Sequence, residues 1–216
     1  MNRALIDTDI LSYYFKGDSL VVENFKKYLT EFDIVEISLI TYYEIMSGLL
    51  HKNAHKQLEI FNDFVTEKFV KQGLELIKKA DSAYLTTIDS NGFPSTRAML
   101  NLKNGKQFPK LVDFMAQYDE NLTLFFTTNT SSTKISQIIN NAKVSVYYCD
   151  SKSWLGFMCQ GEIEIVTDKI LKHAIWLDEW KMYYLDGKDS EDYAILKLKP
   201  NYVKSYFQFN LSDLRL

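Results

Sequence analysis

Thr128, Ser131, Ser132 and Thr133 gather hydroxyls immediately before the ammonium of Lys134. The β-branched and aromatic run Leu124-Phe125-Phe126-Thr127 precedes them, and Ile135, Ile138 and Ile139 follow at i, i+3 and i+4. That spacing predicts a helix starting near Ser132. A helix start carries unpaired backbone N–H groups and a partial positive charge. Hydroxyls and a lysine around it form a cradle for a phosphate dianion, so a phosphorylated ligand is the chemistry on offer. Serine and threonine are also the commonest helix caps, and most caps bind nothing. The segment therefore needs support from the rest of the chain.

The elements that must position these groups differ between the two halves. Residues 1–65 alternate strand and helix: a short buried strand at Ala4-Leu5-Ile6, a helix over 19–29, a strand over 33–38, and helices over 41–51 and 54–65. That order implies a parallel sheet with helical crossovers. From Thr66 onward one helix, over 67–79, leads into strands at 83–88, 96–102, 123–128, 143–149, 156–166, 193–198 and 202–209. Asp89-Ser90-Asn91-Gly92 is a hairpin signal between the first two. Short strands with turn signals suggest an antiparallel barrel. The fold class is thus mixed α/β and β, with a partial α/β segment over 1–65 and an antiparallel barrel with a few helices over 66–216. No Pro, Gly or Ser linker marks the boundary near Val65 and Thr66, so the halves abut or one helix runs through.

Composition excludes several classes. Hydrophobic residues at 46% and aromatic residues at 14% of 216 argue for a packed globular chain. A formal charge of -3 gives no bulk electrostatic case for nucleic acid or an anionic membrane. No apolar run approaches the roughly 18 residues that a membrane span needs. Asp7 falls where a signal peptide would carry its apolar core. Cys149 and Cys159 are the only thiols and suit a reducing cytoplasm, although a single disulfide between them stays open. The expectation is a soluble, cytoplasmic protein.

The turn Asn91-Gly92-Phe93-Pro94 leads into Ser95-Thr96-Arg97-Ala98-Met99. Together with Phe125-Phe126-Thr127, the hydroxyl loop and Ser132-Thr133-Lys134, this resembles the pyridoxamine 5′-phosphate oxidase-like, FMN-binding split-barrel family, in its general stress protein branch. Trp176, Trp180, Tyr183-Tyr184, Gly187, Asp192-Tyr193 and the ending Leu196-Lys197-Leu198-Lys199-Pro200 extend the resemblance over about residues 67–210. The resemblance implies an FMN-binding flavoprotein, with oxidoreductase or flavin-dependent stress function and a homodimer whose flavin lies between subunits. It places the phosphate at Thr127, Thr128, Ser131, Ser132, Thr133 and Lys134, with Arg97 reaching the phosphate or the ring edge. Ala98 and Met99 would lie against the isoalloxazine. Residue by residue, Met99 also reads as core, and Trp176 and Trp180, four apart, read as ordinary packing. True pyridoxamine phosphate oxidases close with an R-x-H segment and an arginine-rich tail, whereas residues 207–216 show neither, so that specific reaction is not expected. The deazaflavin coenzyme F₄₂₀ or haem in place of FMN, and a non-catalytic flavin carrier or sensor, stay open.

Ala4-Leu5-Ile6-Asp7-Thr8-Asp9 and Ile37-Ser38 followed by Glu44 resemble the start of toxin-type PIN-domain ribonucleases, over residues 4–65. In that family Asp7 and Glu44 would be two of the acids holding Mg²⁺ or Mn²⁺. The later strand and helix that supply the other carboxylates are missing here, and two carboxylates make a poor cage for an octahedral ion. The segment therefore reads as a truncated PIN-like module. The rival function is a metal-dependent ribonuclease fragment with the barrel as scaffold.

Overall fold

The computed structural model describes residues 4–32, 35–207 and 210–215, with backbone alone at Glu36, Leu39, Phe207 and 210–215. The chain falls into two compact units, Met1–Lys71 and Gln72–Leu216.

In the first unit β1 (Leu5–Ile6) is followed by α1 (Thr8–Phe15), α2 (Ser19–Phe32), β2 (Glu36–Ile37), α3 (Leu39–His51) and α4 (His55–Lys79). β1 and β2 pair in parallel, Leu5 against Glu36 and Ile6 against Ile37. This is the strand–helix alternation expected from the pattern. Asp33 and Ile34, the start of the expected second strand, lie outside the described residues. Sequence periodicity did not reveal α1, because Tyr13-Tyr14-Phe15 favours strand when read locally. Tertiary packing decides otherwise: Leu11 is fully buried, Tyr14 stacks on Phe25 with centroids 4.3 Å apart, and Phe15 meets Phe61 edge-on. The helices expected over 54–65 and 67–79 form one 25-residue helix, α4. Nothing between Val65 and Glu67 breaks the i→i−4 ladder.

The second unit begins with the last turns of α4. Buried Asn101 finishes that helix by donating its amide to Ile77 O at 2.6 Å and Ala80 O at 2.7 Å. The strands are β3 (Ser82–Ile88), β4 (Pro94–Leu100), β5 (Leu124–Asn129), β6 (Lys143–Asp150), β7 (Leu155–Ile165), β8 (Tyr193–Leu198), β9 (Tyr202–Phe207) and β10 (Asn210–Arg215). The expected strands recur within two residues at their N-terminal ends, and β10 is the addition. Gly92, at φ +84°, closes the β3–β4 hairpin in a conformation that side chains resist.

All the pairings in this unit are antiparallel, running β10-β9-β7-β6-β3-β4, with β8 joining β7 to β5. β7 is the branch point. Its first part pairs with β9 from Leu155 to Gln160, and its last part pairs with β8 from Ile163 to Ile165. Gly161 sits between the two, where an added Cβ would lie 3.0 Å from both Leu198 Cδ1 and Lys199 O. A side chain there would hold the splitting strands apart. The result is the curled, split sheet expected of a split barrel. Alternation buries Leu85, Val146, Phe157 and Val203 inside it. Helices α5 (Val112–Ala116) and α6 (Thr133–Asn140) flank β5, and between β7 and β8 the chain leaves the sheet for α7 (Lys169–Ile175), whose packing with Trp180, Tyr184, Tyr193 and Phe125 builds a second buried cluster.

Candidate anion site

β5 delivers its last residues to opposite faces, as strands do. Thr128 is buried and Asn129 only half-buried. The chain then turns and enters α6 (Thr133–Asn140), with Ser132 at the N-cap. The helix start expected near Ser132 is therefore where the structure has it. Ser132 does not cap in the usual way: its hydroxyl donates to Asn129 O at 2.7 Å and lies 3.2 Å from Thr128 Oγ1. No side chain caps α6. Among the described residues, the amides of Thr133 and Lys134 have no hydrogen-bond partner. Those are the free first-turn donors that an anion would use.

Lys134 turns back over this start and donates to Thr128 Oγ1 at 2.9 Å. Burial, and to a smaller extent the charge of Arg97, holds its ammonium below the ordinary lysine value. Arg97 reaches the same helix at Gln137, three residues beyond Lys134. The guanidinium, itself pulled below its usual value by burial, projects from β4 and is held on four sides. Nη1 donates to Thr87 Oγ1 at 2.6 Å and Leu85 O at 3.3 Å. Nη2 donates to Ser95 Oγ at 2.9 Å and Gln137 Oε1 at 3.0 Å. No carboxylate pairs with Arg97 or Lys134 among the described residues. Two cations therefore reach α6, Lys134 in its first turn and Arg97 at Gln137, with no carboxylate partner among the described residues, and this donor set fits a phosphate.

The loop is braced by Asp192, which the sequence reading missed. Its carboxylate accepts from Asn129 Nδ2 at 2.6 Å, Thr130 Oγ1 at 3.0 Å and the Ser131 amide at 2.9 Å. The Asn129 amide first, then the Ser131 amide, hold that carboxyl well below the usual carboxylate range. The Ser131 amide is thus committed to the protein. Gln137, Thr87 and Ser95 were missed as well. A glutamine falling between Ile135 and Ile138 on the apolar face of a short helix was the one signal in the sequence.

The remaining expected site residues separate. Thr127 lies on the opposite face of β5 from Thr128 and is half-buried, and Ser131 and Thr133 are exposed at the loop and the first helical position. Met99 is buried on the same face of β4 as Arg97, while Ala98 points to the other, exposed face opposite Tyr84. β4 ends the sheet path, so alternate amides and carbonyls along it face away from β3. Trp176 and Trp180 meet edge-on at 6.0 Å within the aromatic cluster. In the first unit Asp7 caps α1 by accepting from the Ile10 amide at 2.9 Å, and Glu44 accepts from the Thr8 hydroxyl. No group of three or more metal-ligating side chains occurs among the described residues. No helix among them is long and apolar enough to cross a membrane.

A curled antiparallel sheet that splits along β7, with helices beside it, defines a split-barrel protein. The family profile described as "Pyridoxamine 5'-phosphate oxidase like" matches residues 68–208, and the chain belongs to that family. Among solved structures, it is similar to a Clostridium acetobutylicum protein related to general stress protein 26 of B. subtilis (pyridoxinephosphate oxidase family), with 27% identity and TM-score 0.57, over 69% of this chain and 96% of that one. It is also similar to General Stress Protein 26 from Bacillus anthracis, with 20% identity and TM-score 0.50, over 68% and 98%. A pyridoxamine 5'-phosphate oxidase-related, FMN binding protein from Nostoc punctiforme matches at 14% identity and TM-score 0.46, over 68% and 94%. No curated protein matches the chain.

Proposed function

We propose that the second unit binds flavin mononucleotide, with the phosphate at the start of α6. One observation carries this: Arg97 and Lys134 both reach α6 with neutral partners only, beside two free helix amides. Lys134 and Arg97 would supply countercharge, and Thr128, Ser132 and the first-turn amides the hydrogen bonds. The phosphate binds in competition with the internal bond from Lys134 to Thr128, which releases a donor as the ligand arrives. In this reading the ring lies along the edge of β4 at Ala98, beside the buried Met99. When bound, the flavin supplies reversible one- and two-electron chemistry, and the protein contributes position and electrostatics.

The protein acts as a dimer in this reading. Ala98, Tyr84 and Tyr147 are cross-strand neighbours on the outer face of the sheet, and Tyr84, Tyr147 and Leu100 are all exposed there. Such a face suits a second copy better than water. The first unit is read as a PIN-like module with a structural role. The carboxylate of Asp7 is engaged in capping α1 and that of Glu44 with Thr8. The test is direct. Purified protein titrated with FMN and with riboflavin should bind FMN more tightly, with a preference that shrinks as salt rises. Equal affinity for both, or binding of neither, overturns the reading.

A further inference from the structure

All four oxygens that hold the Arg97 guanidinium are uncharged: Thr87 Oγ1, Leu85 O, Ser95 Oγ and Gln137 Oε1. The two Nη atoms carry four N–H bonds, and these four contacts use them all. Arg97 therefore offers a ligand its charge and its Nε–H. It does not offer the two-pronged fork that an arginine usually presents.

Gln137 is the keystone of that arrangement. It is buried, and its Oε1 accepts from both Arg97 Nη2 at 3.0 Å and Thr87 Oγ1 at 2.5 Å. Thr87 has one proton to give. At 2.5 Å it goes to Gln137, whereas Ser95 O is 3.5 Å away. The Thr87 oxygen is thereby turned to receive Arg97. Gln137 stands on α6 itself, so it ties the strand-borne guanidinium to the helix whose start forms the cradle.

Folding alone would be served at least as well by glutamate at this position. Glutamate has the same size and nearly the same helix propensity as glutamine, and it could accept the same two bonds. It would also pair a half-buried, unpartnered cation, which the interior otherwise penalises. A carboxylate would at the same time cancel the charge that an anionic ligand needs. We propose that Gln137 is a positioning residue of the anion site. Its neutral oxygen fixes the Arg97 guanidinium and leaves that positive charge uncompensated for a phosphorylated ligand.

This inference rests on the flavin reading, and its test separates the two. Wild type, Gln137→Glu and Gln137→Leu are titrated with FMN and riboflavin at low salt, and their melting temperatures are recorded. Gln137→Glu should melt at or above wild type, yet its Kd for FMN should rise about tenfold, with riboflavin affinity held within about twofold. Gln137→Leu removes the acceptor without adding a countercharge. It should melt lower and lose FMN affinity only a few-fold, with riboflavin again little changed. A purely structural glutamine would move stability and binding together in both variants. Wild-type FMN affinity in Gln137→Glu overturns the proposal, as does equal loss of both flavins in either variant. A wild type that binds neither flavin overturns the flavin reading itself.

Discussion

Replacing Lys134 with Met removes one ammonium from the cradle while keeping most of the aliphatic stem. The folded apo protein should barely notice. Thr128 Oγ1 loses the bond from Lys134 but keeps Ser132 Oγ at 3.2 Å, and the repulsion between Lys134 and Arg97 disappears. Phosphate binding should suffer. A hydrogen bond to a charged group is worth about 1.5–3 kcal/mol, and the partial exposure of Lys134 selects the lower half of that range. About 1.5–2 kcal/mol corresponds to a rise in Kd for FMN of roughly 10- to 30-fold. Riboflavin, which lacks the phosphate, should bind Lys134→Met as it binds wild type. The pH dependence follows from the lowered lysine pKa. The folded apo state holds this proton less tightly than the unfolded chain, so the ammonium costs stability below its lowered pKa, and the cost lifts as pH rises through it. A bound dianion reverses the preference and raises that pKa, so FMN affinity should fall as pH climbs through the apo value. Fluorescence titrations across the alkaline range check both points. The reasoning is refuted if Lys134→Met loses FMN and riboflavin equally, or if its FMN affinity keeps the wild-type fall in alkali.

Asp192→Asn should loosen the loop over 129–131 and speed amide hydrogen exchange at Ser131, whose N–H it holds at 2.9 Å. Because the native carboxyl is depressed, its contribution is complete above about pH 4 and fades as pH falls below that. The melting difference between wild type and Asp192→Asn should therefore shrink in acid, and a constant difference would contradict the assignment. Gly73→Ala reverses a general rule. Alanine ordinarily gains about 1 kcal/mol over glycine inside a helix, but here the new Cβ would lie 2.3 Å from the ring of fully buried Phe157. Overpacking of that kind costs about 1–3 kcal/mol, so urea unfolding should show a net loss, and a stabilised variant would refute the packing.

Much of the second unit was legible because its signals are local. The helix start at Ser132 follows from three isoleucines at helical spacing, the β3–β4 hairpin from Asp89-Ser90-Asn91-Gly92, and the strands from β-branched runs. Arg97 and Lys134 were recognisable by type and order. Their frame was not, because Gln137 lies 40 residues from Arg97 and 50 from Thr87 in sequence. No local pattern carries a contact of that range. Asp192 escaped for the same reason, at 61 residues from Ser131. In the first unit α1 was missed where aromatic packing overrides local strand preference, at Tyr14 and Phe15.

The arrangement also explains how an acid and two cations from different elements can meet around one strand end without pairing. Thr128 and Asn129 are neighbours on β5, so the strand's alternation sends their side chains to opposite faces. Thr128 receives Lys134 on one face, and Asn129 donates to Asp192 from the other. The carboxylate is spent on Asn129, Thr130 and the Ser131 amide, three donors of the loop itself. The cations are left with hydroxyls, a carbonyl and an amide oxygen. Moving the handover from strand to helix by one residue would exchange Thr128 and Asn129 between the faces and break both contacts. Register in β5, fixed by its pairing with β8 from Leu124–Leu198 to Asn129–Tyr193, therefore keeps Thr128 toward Lys134 and Asn129 toward Asp192.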